Sequence, residues 1–152
     1  MTMKHFACNN QEDHRNTVSS NVSERALREI YLRGFRIAVE EGGAKGIMTA
    51  YNKINGVYAP NSYDLCTHVL RNEWGFEGVV MTDWFSTNKG LAGNAEAIAA
   101  GNDLIMPGGA TYKKEILKGR KKGIVTDEQL RRCCGNVVRA VMDSRTQKEY
   151  RS

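Results

Sequence analysis

Short apolar runs alternate with helical patterns along this chain. Four runs have the length and composition of buried strands: residues 4–8, 46–51, 79–82 and 103–106. Three patterns with helical spacing separate them: residues 21–42, 61–73 and 94–100. Asn21 and Glu24 resemble a capping box at the first helix, and Thr126 and Gln129 resemble one at a last helix. Strands that alternate with helices predict right-handed crossovers and a parallel α/β sheet.

The charge of the chain is unevenly distributed. Its 22 Lys+Arg and 17 Asp+Glu residues give a net charge of +5. Residues 1–110 carry 10 basic and 12 acidic side chains, whereas residues 111–152 carry 12 and 5, so the second part is strongly basic. Its basic residues are mixed with helix formers and lack nearby aromatic partners. A solvated helical face is therefore favoured over a nucleic-acid surface, which stays an alternative.

The cysteines and the apolar segments bear on cellular location. The four cysteines, at positions 8, 66, 133 and 134, form no C-x-x-C pair, so neither a zinc site nor a disulfide framework is indicated. No apolar run reaches the ~18 residues of a membrane span, and the first residues do not resemble a signal peptide. We expect a cytoplasmic protein with reduced thiols and no membrane contact. A signal peptide in a preceding segment would change that expectation.

Polar residues at the carboxyl ends of the predicted strands are the candidates for chemistry, because active residues of parallel sheets gather there. Asp83 ends an apolar run and precedes Trp84, an aromatic face on which an apolar or a sugar ring can stack. A helix N-cap is an equally good interpretation of Asp83. For Lys4 and His5 the alternative is a frayed terminus, and for Tyr51 it is a core position with a satisfied hydroxyl group.

Four segments carry a family resemblance: Lys4–Asn10, Met48–Gly56, Glu73–Trp84 and Ala100–Gly108. In this order they resemble glycoside hydrolase family 3, of the β-glucosidase type, and the basic stretch to about residue 142 resembles the segment that closes the family's barrel. The N-acetylglucosaminidase branch fits less well, since its acid/base histidine lies in a glycine-bearing Asp-x-His loop. Asp13 and His14 are adjacent here, so a polar loop is favoured over an acid–base pair.

The resemblance implies a fold and a domain organisation. The family's catalytic domain is a (β/α)8 barrel, which typically needs ~250 residues. The chain resembles the C-terminal half of such a barrel, with about four parallel strands alternating with helices. Residues 1–110 then form the half-barrel that carries the motifs, and residues 111–152 form a basic helical segment that closes the barrel, with a tail.

The resemblance also implies roles for particular residues. Asp83 matches the catalytic nucleophile of a retaining glycosidase, which hydrolyses terminal β-linked sugars through a covalent glycosyl-Asp intermediate. The matches to the substrate-binding positions are Lys4, His5, Tyr51, Trp84 and Met48. Two carboxyl groups and water suffice for this reaction, so no metal or organic cofactor is implied.

The same resemblance predicts that the isolated chain is nearly inactive. The first half of the barrel and the domain that supplies the acid/base Glu have no counterpart in these residues. The expected partner is a carbohydrate, a β-glucoside or a related sugar, with neither nucleic acid nor a membrane. The alternative is a non-catalytic half-barrel remnant that associates with a partner half or with itself through exposed sheet edges.

Overall fold

The strands fall into two small sheets in the computed structural model, which describes residues 1–88 and 90–144. The strands are β1 (Thr2–Phe6), β2 (Ser19–Ser20), β3 (Gly46–Thr49), β4 (Lys53–Ile54), β5 (Val57–Tyr58) and β6 (Val79–Thr82). The first sheet is parallel throughout, in the order β1-β3-β6, and the second has the order β2-β4-β5. The α/β class predicted from the sequence is confirmed.

Regular and π-helical segments connect the strands. The α-helices are α1 (Glu24–Ala26), α2 (Arg33–Glu40), α3 (Asn94–Ala100), α4 (Ala110–Lys121) and α5 (Asp127–Met142). Residues Leu27–Tyr31 and Asp64–Glu73 are wound as π-helices, and Ala59–Asn61 form a 3₁₀ turn. The amides of Leu32 and Trp74 donate to carbonyl groups five residues back, at 2.9 and 3.1 Å.

Of the two capping boxes predicted from the sequence, the one at the last helix is confirmed and the one at the first helix is not. The first helix begins after Ser23, whose Oγ accepts the amide of Ala26 at 3.2 Å, so the prediction that Asn21 caps it was wrong. Asn21 instead accepts a hydrogen bond from the Ser19 hydroxyl at 2.8 Å. The box at α5 is confirmed, since Thr126 and Gln129 each bind the other's backbone amide through their side chains.

The fourth predicted strand, residues 103–106, is reduced to one parallel bridge between Met81 and Leu104. Backbone hydrogen bonds remain around it, such as the one from the Thr82 amide to the Leu104 carbonyl at 3.0 Å, but two amides are bound by side chains. The Asp103 carboxylate accepts the Val80 amide at 2.9 Å, and the Thr82 hydroxyl accepts the Met106 amide at 2.9 Å. A ladder of four full strands is therefore not formed in the described residues.

The main apolar core lies between the parallel sheet and the first helices. Phe6 packs edge-on against Phe35 and Trp74, with ring centroids 5.0 and 6.1 Å apart. Ile47 and Val80 are completely buried, whereas Met48 and Met81, which alternate with them, are half-buried on the other face of the sheet. This alternation is the period of two expected of strands, and it directs one face of the sheet to the helices.

A buried ion pair fixes β6 to its neighbours. The Asp103 side chain has no exposed surface, and its Oδ2 lies 2.7 Å from Arg71 Nη2. Its Oδ1 accepts a hydrogen bond from Asn136 of α5 at 2.9 Å. Because Asp103 also binds the Val80 amide, this network holds β6 three residues before Asp83.

Helix α5 leaves part of its apolar stripe exposed. The sequence pattern assigns Cys134, Val138 and Val141 to the buried side, but all three are exposed and only Cys133 of the two cysteines is buried. All four cysteines are free thiols. No described helix has the length and apolar character needed to cross a membrane. The tail expected at the end of the segment 111–152 lies, from residue 145 onward, outside the described residues.

Candidate active site

Three parallel strands bring the candidate residues to one edge of the sheet. His5 lies in β1, Tyr51 follows β3 by two residues, and Asp83 comes directly after β6. Because the carboxyl ends of parallel strands meet at the same edge, these side chains converge. His5 Nε2 lies 3.1 Å from Asp83 Oδ2, and the two side chains are 29% and 14% exposed.

The Asp83 carboxylate is held at the start of a tight turn. Its Oδ1 accepts the backbone amide of Trp84 at 2.7 Å, and its carbonyl group accepts the Ser86 hydroxyl at 2.9 Å. The next helix begins at Asn94, so the alternative of Asp83 as a helix N-cap was wrong. The carboxylate is positioned by backbone and imidazole contacts and keeps a small exposed surface.

Tyr51 connects β3 to the turn after Asp83. Its hydroxyl group donates a hydrogen bond to the Trp84 carbonyl group. This agrees with the alternative interpretation of Tyr51 as a core residue whose hydroxyl group has a partner. The side chain is nevertheless electrostatically coupled to Asp83. Burial raises the pKa of Tyr51, and the negative charge of Asp83 raises it further. Tyr51 therefore lies beside the candidate nucleophile as a neutral hydrogen-bond donor.

Arg15 forms a cluster with His5, Tyr51 and Asp83, although its position was not predicted from the sequence. Its guanidinium group lies 4.3 Å from the centroid of the Tyr51 ring, and Nη1 lies 2.7 Å from Glu12 Oε2. The positive charge of Arg15 lowers the pKa of Tyr51, against the effect of burial and Asp83. Arg15 lies in the polar loop that follows β1, and that loop starts at the same edge of the sheet. This position in the sequence was the signal that could have pointed to Arg15 as a site residue.

Two aromatic side chains form an exposed apolar surface next to Asp83. Trp84 and Phe85 are 50% and 49% exposed, and their ring centroids lie 6.0 Å apart at an interplanar angle of 73°. Phe85 has a φ of 62°, in the left-handed region that non-glycine residues rarely adopt. Sugar rings stack on aromatic faces of this kind. Trp84 was predicted here from the sequence, whereas Phe85 was not.

Lys4 and Met48 are placed near this edge without a polar contact to Asp83. Lys4 lies in β1 and is exposed, so it is not part of a frayed terminus, and it makes no ion pair within the described residues. Met48 is half-buried and lies in register with Met81 of β6. The peptide bonds Lys4–His5 and Phe6–Ala7 are cis. The substrate-binding roles of these residues stay predictions.

Asp13 and His14 are exposed in the loop after β1, as expected for a polar loop. His14 has a φ of 53°, and its carbonyl group accepts the amides of Thr17 and Val18 at 2.8 and 2.9 Å. Among the residues with described positions, no group of three or more His, Cys, Asp or Glu side chains is arranged to hold a metal ion.

Comparison with known protein families identifies relatives of this chain. Residues 1–140 match the model of the glycosyl hydrolase family 3 N-terminal domain. The chain is 45% identical over 139 residues to β-glucosidase B of Emericella nidulans, covering 90% of this chain and 16% of that protein. It is 53% identical over 107 residues to a β-glucosidase of Rhizobium radiobacter, covering 70% of this chain and 13% of that protein.

A solved structure has a similar backbone. β-Glucosidase 3B from Thermotoga neapolitana, in complex with glycerol, superimposes with a TM-score of 0.89 at 44% sequence identity. The match covers 99% of this chain and 22% of that one. The chain thus spans less than a quarter of each relative described above. Since the family model covers nearly all of its length, the chain belongs to glycosyl hydrolase family 3.

Proposed function

We propose that Asp83 is the nucleophile of a retaining glycosidase that hydrolyses terminal β-linked sugars, with a β-glucoside as the substrate class. The observation that carries the proposal is the placement of its carboxylate, 3.1 Å from His5 and within 2.7 Å of the Trp84 amide. Membership of the family supports it, as do the β-glucosidase names of the relatives. We further propose that the parallel sheet is the C-terminal half of a (β/α)8 barrel.

The proposed reaction proceeds by two displacements at the anomeric carbon. An oxygen of Asp83 attacks that carbon while the bond to the leaving oxygen breaks, which gives a glycosyl ester of Asp83. A second carboxyl group, ~5–5.5 Å away in retaining enzymes, protonates the leaving oxygen. The same group then takes a proton from water, which attacks the anomeric carbon and releases Asp83.

The neighbours of Asp83 suit substrate binding. The imidazole of His5 and the ammonium group of Lys4 can bind sugar hydroxyl groups from the end of β1, and the Trp84–Phe85 surface can pack against the ring. We assign the walls of the same sugar-binding site to Tyr51 and Met48. Hydrogen bonds to the sugar that become stronger in the transition state lower the activation free energy of hydrolysis. Hydrogen bonds of equal strength in the bound substrate and in the transition state do not.

The acid/base group is proposed to come from outside these 152 residues. Glu12 is the other carboxylate of the cluster, and it is held by Arg15 at 2.7 Å and by the Asn9 side chain at 3.2 Å. These contacts engage both carboxylate oxygens of Glu12, and its side chain is 69% exposed and points away from a closed site. The isolated chain is therefore proposed to form the glycosyl ester slowly and to release it hardly at all.

A mechanism-based label tests the nucleophile without the acid/base group. In 2-deoxy-2-fluoro-β-glucosyl fluoride the leaving group is fluoride, which needs no protonation, and the 2-fluoro substituent slows release of the ester. We expect mass spectrometry to find one fluoroglucosyl group on the peptide that contains Asp83. Asp83→Asn is the matched control and should carry no label. A label on another residue, or none after saturating exposure, contradicts the assignment.

Turnover of substrate tests the proposal that the isolated chain has no acid/base group. With nitrophenyl β-glucoside, release of nitrophenol by the purified chain should stop at no more than one equivalent per chain, because no base activates water. Sustained turnover would show that the chain supplies its own acid/base group.

A second candidate function is self-association, and the exposed edges of the sheet favour it. In the described residues β1 pairs with β3 alone, and the opposite edge ends at the Leu104 bridge. An apolar groove of about 400 Å³ between this sheet and α5 includes Met81, Leu104 and Val141. A second copy related by a two-fold axis would cover both edges at once. Light scattering tests this, and a monomer at high concentration argues against it.

A further inference from the structure

The chain leaves its parallel ladder at Thr82, one residue before Asp83. Up to that point the backbone pairing is regular, since the Leu104 amide donates to the Val80 carbonyl group at 3.2 Å and the Thr82 amide donates to the Leu104 carbonyl group at 3.0 Å. In a regular parallel pair the next hydrogen bond would run from the Met106 amide to the Thr82 carbonyl group. The Met106 amide instead donates to the Thr82 hydroxyl group at 2.9 Å. A side chain therefore replaces a backbone acceptor where β6 ends.

Met106 binds the chain on both sides of Asp83. Its amide donates to Thr82, the residue before Asp83. Its carbonyl group accepts the amide of Phe85, two residues after Asp83, at 3.1 Å. We call these two hydrogen bonds the Met106 clamp. Because the clamp fixes both ends of the short segment that carries the carboxylate, it restricts the backbone rotation of Asp83 and Trp84.

The contacts that orient the Asp83 carboxylate depend on that segment. Asp83 Oδ1 accepts the Trp84 amide at 2.7 Å, and the Trp84 carbonyl group accepts the Tyr51 hydroxyl group. Asp83 Oδ2 lies 3.1 Å from His5 Nε2. Each of these contacts requires Asp83 and Trp84 to keep their backbone orientation, which the clamp supplies.

The Thr82 side chain acts from inside the protein. It is completely buried, as is Val80 two residues earlier, whereas Met81 between them is half-buried. The alternation of a strand places Thr82 on the buried face. A hydroxyl group without exposed surface cannot reach a sugar, so Thr82 can affect a reaction only through Asp83.

We propose that Thr82 is a positioning residue of the reaction: its hydroxyl group, through the Met106 clamp, holds the Asp83 carboxylate in the orientation needed for nucleophilic attack. This inference rests on the proposed role of Asp83. A displacement of ~1 Å at a reacting group can cost ~10²-fold in rate. Thr82→Val keeps the shape of the side chain but removes the acceptor, so the Met106 amide loses its partner and the clamp opens on one side.

The rate of labelling by 2-deoxy-2-fluoro-β-glucosyl fluoride tests the proposal on the full chain. We expect Thr82→Val to label Asp83 about ten to a hundred times more slowly than the unaltered chain. Thr82→Ser keeps the hydroxyl group and should restore most of the rate. Thr67→Val is the matched control, because the Thr67 hydroxyl group is also buried and donates to the Ala100 carbonyl group at 2.7 Å, but takes no part in the clamp. This control should label at the normal rate.

Amide hydrogen exchange, followed by NMR, reports the clamp without any chemical reaction. The amides of Phe85 and Trp84 donate to Met106 and to Asp83. In Thr82→Val these two amides should exchange faster relative to the amides of β3 than they do in the unaltered chain. Thr67→Val should leave that ratio unchanged.

Three results overturn the proposal. The first is labelling of folded Thr82→Val at the unaltered rate. The second is failure of Thr82→Ser to restore the rate, which would assign the effect to packing of the side chain. The third is equal slowing in Thr67→Val, which would make the effect a general loss of stability.

Two further provisions keep the test decisive. If Thr82→Val does not fold, Thr82→Ala removes the same hydroxyl group and takes its place. If the unaltered chain takes up no label, the assignment of Asp83 as the nucleophile fails, and the exchange ratio alone decides whether Thr82 holds the turn. An unchanged ratio in the Thr82 variant would then overturn the clamp as well.

Discussion

Arg71 Nη2 lies 2.7 Å from Asp103 Oδ2 in an ion pair whose aspartate is completely buried. Arg71 also donates to the carbonyl groups of Phe76, Gly78 and Gly101 at 3.2–3.4 Å. We predict that Asp103→Ala destabilises the fold by about 3–5 kcal/mol, because it leaves the guanidinium group buried without its charged partner. Urea denaturation followed by circular dichroism measures the loss.

Glu29→Gln is the matched control for that substitution. Its partner, Arg25, lies 3.0 Å away, but the two side chains are 84% (Arg25) and 60% (Glu29) exposed. An exposed pair of this kind contributes little, so the control should unfold almost as the unaltered chain does. If Asp103→Ala and Glu29→Gln lowered the free energy of unfolding equally, the Asp103 network would not anchor β6.

The pH dependence of Tyr51 is the second prediction. Because burial and the charge of Asp83 raise its pKa, Tyr51 should ionise above its ordinary value near 10. Asp83→Asn should lower that pKa, and Arg15→Ala should raise it further, since Arg15 opposes the shift. The folded state favours neutral Tyr51, so its contribution to stability is complete below pH ~10 and is lost as the pH rises through the raised pKa.

NMR titration of ¹³Cζ-labelled tyrosine checks these shifts, and Tyr51→Phe identifies the resonance. A Tyr51 that titrates at its ordinary value in all variants would show that the cluster does not assemble in solution.

The four thiols should differ in reactivity. Cys134 is exposed, whereas Cys8, Cys66 and Cys133 are buried. Burial raises the pKa of Cys8 to about 11, that of Cys66 to about 12, and that of Cys133 as well. Since the thiolate is the reactive form, iodoacetamide at pH 8 should alkylate Cys134 first. Mass spectrometry of timed samples measures the order, and in urea all four should react together.

The nucleophile assignment predicts the effect of Asp83→Ala in a longer protein that contains this chain and shows activity. Removal of a nucleophile costs several orders of magnitude, so kcat should fall by about 10⁴ or more. Added azide fits the space left by the carboxylate and attacks from the same side, so it should restore part of the turnover and give an α-glycosyl azide. A variant that keeps its kcat would exclude Asp83 as the nucleophile.

The sequence predicts those parts of the fold that follow from local pattern. The apolar runs at β3 and β6 and the helical pattern at α3 are correct because burial on one face imposes the period. The parallel order then places His5 and Asp83 at one edge. The start of the first helix was misplaced because Asn21 and Ser23 are both good caps, and only their side-chain geometry decides between them.

The rest depends on contacts between distant parts of the chain. Arg15 joins the cluster only because the loop after β1 folds over Tyr51, which no spacing within that loop reveals. The strand predicted at residues 103–106 is shortened because Asp103 and Thr82 side chains bind backbone amides that a ladder would use. The exposed Val138 and Val141 of α5 likewise follow from what packs against the helix, which an apolar stripe does not specify.

The order β1-β3-β6 predicts that the candidate site forms late in folding. Each strand carries one residue of the site or ends within two residues of it, and no hairpin joins any two of these parallel strands. The entropy of closing long loops must be overcome before His5 and Asp83 can meet. Trp84 is half-exposed beside them. Its fluorescence should therefore become native only when all three strands have paired, so it can report the completion of folding.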